Sequence, residues 1–363
     1  MTGEMLGRVL ILKSMRYGAP EVEHLPYRID LLRNSGFSLV WTDENLGRPW
    51  NRFARLEAAT TPWVQTLLTR KLRRTSCAVL AMFESEAHGL AFSRRLTRRR
   101  RPPLIVIGCW LTDLVRNGGL RASLYRWLYR SVDTVIVFSS NQQETLINEL
   151  GMPPDRVRIV QFGVDLDELA DVATSERGPV VAVGRDLGRD WTTFIEAIRG
   201  TGWDVHLATR SSQVEGIELP AEVTLHTILS RADYLKLIAS ASVVVVPTHV
   251  REYPTGQTVM LEAMALGKAC VVTSTPAMAD YADDHNAILV PVGDAGALRQ
   301  SIGRLLEDGD LRNSIGQTAH RRTESGRGAA GMWEQIGVIV RERSLRPAQS
   351  TTGRLAALAR THR

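Results

Sequence analysis

Short runs of apolar residues recur along this chain at intervals wide enough to hold one helix each. In the first half they fall at residues 8–12, 38–41, 78–83, 104–107, 134–138 and 158–161. A second series begins at Val180 and continues at 204–208, 223–227, 243–246, 271–273 and 288–291. Runs of four to six apolar residues without strict alternation predict strands covered on both faces, and the stretches between several of them carry helical periodicity. That alternation predicts parallel sheets with helices on both sides. Ser139-Ser140-Asn141-Gln142-Gln143 opens one such helix: Ser140 and Gln143 have capping-box spacing, Leu146, Ile147 and Leu150 form its apolar face, and Gly151 with Pro153 ends it.

The polar, turn-rich segment 173–178 separates the two series and predicts a domain boundary. The expected organisation is a first Rossmann-like domain over 1–173, a second over 178–330, a helix over 331–345 and a basic, loosely ordered tail over 346–363. Two doubly wound domains in tandem leave a cleft where the carboxyl ends of both sheets meet, and ligands bind at such edges.

Length and composition agree with two ordinary cores: 363 residues, of which 44% are hydrophobic and 23% charged. No apolar run approaches the roughly 18 residues that a membrane span needs, and the first residues lack a signal-type pattern, so a cytoplasmic protein is expected. Three cysteines, Cys77, Cys109 and Cys270, have no paired spacing and point to neither a disulfide framework nor a zinc site. Charge is lopsided. Residues 1–160 hold about 24 Lys and Arg against about 14 Asp and Glu, while the remainder is slightly acidic. The surplus clusters at 70–74, 94–101 and 121–130, the last interleaved with Tyr125, Trp127 and Tyr129. Such a surface fits either a solvated basic face or peripheral attachment to an anionic membrane; no nucleic-acid-binding motif accompanies it, so no nucleic acid partner is expected.

Candidate chemistry concentrates in the second half. Thr255-Gly256-Gln257-Thr258 precedes a short helix that Gly267 must stop, placing free backbone N–H groups and a positive helix end beside the tips of two buried strands. A diphosphate would be held there. Glu262 lies one turn further along, where a carboxylate accepts the hydroxyls of a ribose. Upstream, the loop Gly184-Arg185-Asp186-Leu187-Gly188-Arg189-Asp190 carries two arginines four residues apart, whose forked donors suit phosphate oxygens.

These residues, with Val183-Gly184-Arg185, Arg189-Asp190-Trp191 and Leu289-Val290-Pro291-Val292-Gly293-Asp294 in the same order, resemble the nucleotide-sugar half of retaining glycosyltransferases of family 4 over about 180–322. The resemblance implies the GT-B architecture: two Rossmann-like domains facing across a cleft, with the 331–345 helix crossing back onto the first. It implies a metal-independent hexosyl transfer with retention, from a UDP- or GDP-sugar that serves as co-substrate without any cofactor. The acceptor is a hydroxyl on a lipid-linked saccharide, a polysaccharide or a small molecule. Arg185, Arg189 and Glu262 become catalytic candidates, joined by His88 after the third strand. Gly18, Thr227, Glu252, Gly256, Gln257 and Thr258 complete the expected donor site, with Glu84 and Glu86 as further candidates for the acceptor.

The chain departs from the family pattern at two places. With seven residues between the family's two glutamates, the first would fall at Pro254 when the second is Glu262, and Glu252 stands two residues early. After the fourth strand, where many relatives have histidine, stands Gly108-Cys109-Trp110. These departures keep two alternatives open: a sugar-nucleotide-binding protein without turnover, and a sugar-nucleotide epimerase on the same fold.

Overall fold

The computed structural model describes residues 5–12, 26–42, 63–97, 101–116 and 118–345. The first sheet comprises β1 (Gly7–Leu12), β2 (Phe37–Trp41), β3 (Ala78–Ala81), β4 (Leu104–Ile107), β5 (Thr134–Val137) and β6 (Val157–Ile159). Its helices are α1 (Trp63–Leu68), α2 (Arg70–Arg74), α3 (Glu84–Thr97), α4 (Leu111–Arg116), α5 (Gly119–Tyr129), α6 (Ser140–Asn148) and, after β6, α7 (Leu166–Ala170). The second sheet comprises β7 (Val180–Val183), β8 (Val205–Ala208), β9 (Val223–His226), β10 (Val243–Val246), β11 (Ala269–Thr273) and β12 (Ile288–Val290). With it go α8 (Trp191–Ile198), α9 (Arg231–Ser240), α10 (Gln257–Ala265), α11 (Ala295–Glu307), α12 (Gly309–Gly326) and α13 (Ala329–Leu345). This is the GT-B arrangement, with every strand pairing parallel.

Strand order decides where a ligand can sit. The first sheet runs β2-β1-β3-β4-β5-β6 and the second β12-β11-β10-β7-β8-β9. In the second, successive connections leave β7 in one direction and reach β10 in the other, so the loops after these two strands diverge and open a crevice at their carboxyl ends. The pairing Val243↔Val180 and Val244↔Val181 brings those two ends side by side. Val243–Val246 is buried along its whole length, as a strand covered on both faces must be.

One apolar cluster runs through both halves of the molecule, from Val9, Ile136 and Phe162 of the first to Val181, Val244 and Met260 of the second, with Trp333 of α13 inside it. Separate clusters fill the outer faces. α13 packs against the first half: a Cβ at Gly337 would lie 2.0 Å from Ser35 Oγ, so only glycine allows this approach, and Arg158 pairs with Glu342 at 2.8 Å.

Local signals account for several helix starts. Asp190, Ser230, Asp294 and Asp308 each cap a helix by accepting an N–H three residues on. Asp294, which closes the Leu289 to Asp294 stretch of the family resemblance, thus starts α11. The predicted box at Ser140 and Gln143 does not form, and Ser139, one residue earlier, accepts no helix N–H with its side chain. Ser139 is the N-cap, and Gln142 Oε1 accepts the Phe138 N–H at 3.1 Å and the Ser139 hydroxyl at 3.2 Å. Both pairs have the same spacing, and burial of Gln142 selects the inner one. Among the described residues no helix is long and apolar enough to cross a membrane, and the three cysteines are free thiols.

Candidate active site

A cavity of about 490 Å³ lies between the carboxyl ends of the two sheets. Its second-domain wall is built by the loops after β7 and β10, which are knitted together: Asp190 N–H donates to Pro247 O at 3.1 Å and His249 N–H to Gly188 O at 2.8 Å.

Arg189 is the central group of this wall. Its side chain is only 2% exposed, and its Nε donates to Asp186 Oδ2 at 3.1 Å. The guanidinium lies between two glycines: a Cβ at Gly184 would stand 2.1 Å from Arg189 Nε, and one at Gly256 would stand 2.7 Å from Nη1. Gly256 also has φ +86°, a backbone conformation that glycine adopts without penalty. Among the described residues Nη1 is buried without a partner, beside the first turn of α10. A buried cationic N–H without an acceptor is costly, and an anion at the helix tip would satisfy it. Asp186 is fixed by Thr255 Oγ1, by the Gly188 N–H at 2.9 Å and by Arg189. Burial opposes its ionisation, but the Arg189 charge and these donors outweigh it and hold the carboxyl below the usual range.

The other predicted donor residues fall into two groups. Arg185 is exposed on the cavity rim and donates to Thr227 O at 2.8 Å, so these two residues are neighbours. Gly256, Gln257 and Thr258 line the cavity, and Gln257 Oε1 is buried without a partner. Glu262 lies behind the wall. It is 3% exposed, Arg231 reaches its Oε1 at 2.7 Å, and the Tyr234 hydroxyl donates to its Oε2. Burial pushes its carboxyl pKa up, against the opposing pull of Arg231. Direct acceptance of ribose hydroxyls therefore requires Tyr234 or Arg231 to give way. Both of these line the cavity, and sequence reading missed them. The available signal was the Ser230 cap, which sets Arg231 and Tyr234 three residues apart on one face of α9. Arg231 also binds Glu168 of α7 at 2.6 Å and lies 5.2 Å over the Tyr234 ring.

Two expected residues sit elsewhere. Glu252 reaches across the interdomain gap and not into the cavity: it accepts from Arg116 and, at 2.9 Å, from Thr145 Oγ1, while its N–H donates to Asp113 at 3.0 Å and its carbonyl accepts from Asn141 at 2.8 Å. It clasps α4 and α6 of the first half. His88 is turned into the first-domain core against the Tyr125 ring, 5.2 Å between centroids, and burial pushes its pKa down to about 4. A neutral ring behind the wall cannot touch a substrate in the cavity. The causes differ: His88 lies on α3, whose phase turns it inward, whereas Glu252 lies in the loop between β10 and α10, whose path carries it across to α4 and α6. Gly18 lies outside the described residues.

Phe83 and Trp110 stack at 5.4 Å with an interplanar angle of 15°, and Tyr253, on the second-domain loop leading into Gly256, meets Trp110 edge-on at 6.4 Å. Glu84 and Glu86 are behind them. Glu84 accepts the Trp110 N–H at 3.2 Å and burial raises its pKa to about 7, while Glu86 accepts the Met82 N–H at 3.0 Å. They hold the wall from behind and do not face an acceptor. Asp165 and Asp308, whose spacing to Asp167 and Asp310 has a metal-site look, are helix N-caps, and Asp165 also binds Arg28 at 2.8 Å. Among the described residues no cluster of three or more His, Cys, Asp or Glu could hold a metal ion.

Comparison with known proteins bears on this geometry. A family model described as Glycosyltransferase Family 4 matches residues 34–168, and one described as Glycosyl transferases group 1 matches residues 193–308. No curated protein matches the chain by sequence. Sucrose-phosphate synthase from Thermosynechococcus elongatus superposes with a TM-score of 0.70 at 16% identity, over 93% of this chain and 98% of that one. The Anabaena HepE protein in complex with UDP and glucose superposes with a TM-score of 0.67 at 15% identity, over 92% and 99%. An E. coli protein described as bound with UDP-2-fluoro glucose gives 0.67 at 11% identity, over 94% and 99%.

Proposed function

We propose, for a chain that belongs to the glycosyltransferases of GT-B type, that it moves a hexose from a UDP- or GDP-sugar to an acceptor hydroxyl with retention of configuration. The acceptor oxygen bonds to the anomeric carbon as the bond from that carbon to the phosphate oxygen breaks. The acceptor's proton leaves with the nucleoside diphosphate from the same face of the sugar. Arg189, Arg185 and the first turn of α10 stabilise the charge that grows on the departing phosphate. The clasp at Glu252 holds the two halves together over the reacting centre, excluding water.

The observation that carries this reading is the unpartnered Nη1 of Arg189, buried between Gly184 and Gly256 at the helix tip. The Nε of Arg189 already pairs with Asp186, so what is held ready is one charged N–H for which the described residues supply no acceptor. That the Anabaena and E. coli proteins are described with UDP-type ligands supports a uridine donor here. A thermal-shift panel of UDP, GDP, ADP and their sugars tests it, because a ligand that binds the native state raises its melting temperature with affinity. One nucleoside diphosphate should stabilise the protein clearly above the others. Equal, negligible shifts for all of them would reject the donor site.

The first-domain surface supports attachment to an anionic membrane. α1, α2 and α5 contain no acidic residue within their spans, while Arg70, Lys71, Arg74 and Arg126 are exposed on them. Leu120 and Leu124, one helical turn apart on α5, are 91% and 51% exposed, and Leu67 of α1 is also exposed. Basic residues near an anionic surface each contribute about 1 kcal/mol, and exposed leucines add apolar insertion. Co-sedimentation with phosphatidylglycerol vesicles should exceed that with phosphatidylcholine and fall at high salt. Equal binding to both lipids would count against it.

A further inference from the structure

The two walls of the cavity differ in kind. The second-domain wall carries arginines, threonines and free helix N–H groups, whereas the first-domain wall, among the described residues, is Met82, Phe83, Ile107, Trp110, Phe138 and Phe162 together with Cys109. The side-chain hydrogen-bonding groups it offers are the indole N–H and a thiol whose ionisation burial suppresses strongly. The acids nearest to it, Glu84 and Glu86, are turned behind it to hold the Trp110 and Met82 backbones.

We infer that the acceptor is a molecule with an apolar body that carries the reacting hydroxyl, a flat aromatic alcohol or a lipid alcohol, and not a free saccharide. The inference rests on the nucleotide-sugar transfer proposed above and specifies the partner in that reaction. A saccharide presents several hydroxyls, each of which loses water on entering the cavity, and among the described residues this wall offers them only the Trp110 indole N–H and the Cys109 thiol. Aromatic faces take up apolar surface without that loss. The Phe83–Trp110 stack offers one such face, with Trp110 itself 39% exposed. Tyr253 sets that face next to the loop that leads to Gly256, so a body resting on Trp110 has its hydroxyl beside the diphosphate end of the donor. In the transfer step the hydroxyl oxygen bonds to the anomeric carbon, the sugar-phosphate bond breaks, and the proton departs with the nucleoside diphosphate. One hydroxyl suffices.

Titration calorimetry on the full chain, saturated with whichever of UDP or GDP it binds, tests the inference with three probes: 4-methylumbelliferone, dioctanoylglycerol and maltotriose. Binding of at least one apolar probe at one per chain, weakened ten-fold or more in Trp110→Ala and little changed in Trp110→Phe, is the expected result. The aromatic and lipid arms tell which kind of apolar alcohol is meant. Binding of maltotriose alone, binding of none of the three, or apolar binding that Trp110→Ala leaves unaltered would each overturn it. Nucleotide affinity, measured first in the same proteins, should be the same in Trp110→Ala as in the wild type. If neither UDP nor GDP binds at all, it is the donor reading that has failed, and the two failures are thereby told apart.

Discussion

Replacing Arg189 by alanine is expected to lower kcat/KM for donor by two to three orders of magnitude, equivalent to about 3–4 kcal/mol of lost transition-state stabilisation. Three features make this the most sensitive position. The guanidinium is almost wholly buried, so its charge acts in a low dielectric and not through water. Among the described residues its Nη1 has no acceptor, so its hydrogen bond is open to the ligand. And the charge on the diphosphate grows as the sugar leaves, so the interaction is stronger in the transition state than in the ground state. Arg189→Lys restores charge but not the flat fork that fits between Gly184 and Gly256, and should recover only part of the loss. Release of nucleoside diphosphate under steady-state conditions measures both variants. Because Arg189 also pairs with Asp186, a melting curve must accompany the kinetics. If a folded Arg189→Ala protein keeps activity within a few-fold of wild type, the phosphate is not held here.

Glu262→Ala is the second large effect, and it should be a double one. Removing the carboxylate leaves the buried Tyr234 hydroxyl without its acceptor and takes one of two partners from Arg231, which still holds Glu168. Lost hydrogen bonds to a charged group of this kind cost about 1.5–3 kcal/mol each, reduced here because Arg231 is partly open to solvent. The melting temperature should therefore drop before any ligand is added. If the ribose exchanges with Tyr234 for this carboxylate, the variant also loses the stabilisation that the nucleoside diphosphate confers on the wild type. Tyr234→Phe separates the two roles: it frees one carboxylate oxygen without removing charge and should bind nucleotide at least as tightly as wild type. Unchanged nucleotide affinity in a folded Glu262→Ala would reduce Glu262 to a buttress for Arg231.

Much of this arrangement is readable from local pattern. The strand runs stand where apolar stretches predict them because a strand buried on both faces has few polar positions to disguise it, as Val243–Val246 shows. Gly267, with φ +71°, follows the end of α10 as its place in the chain implies, since a left-handed residue there costs glycine least. The loop from Gly184 to Asp190 stands out in the sequence for its arginines, and the glycines that seat Arg189 are Gly184 of that loop and Gly256. By contrast, nothing in the chain order announces that Arg231 and Tyr234 cover Glu262, because they come from a different helix some thirty residues away. His88 stands out by its place after a strand and Glu252 by its place two residues before the family's first glutamate, and neither kind of position fixes the direction in which a side chain points.

Apolar spacing, turn residues and caps thus determine by themselves the two wound domains and the helix whose tip faces the cleft, because each is a short-range consequence of backbone sterics and burial. Tertiary structure alone decided the rest. It left one nitrogen of Arg189 without an acceptor, made Glu252 an interdomain clasp and gave the first-domain wall its apolar face. Each of these depends on which atoms from distant segments come within a few ångströms of one another, and that is a property of packing, not of order along the chain.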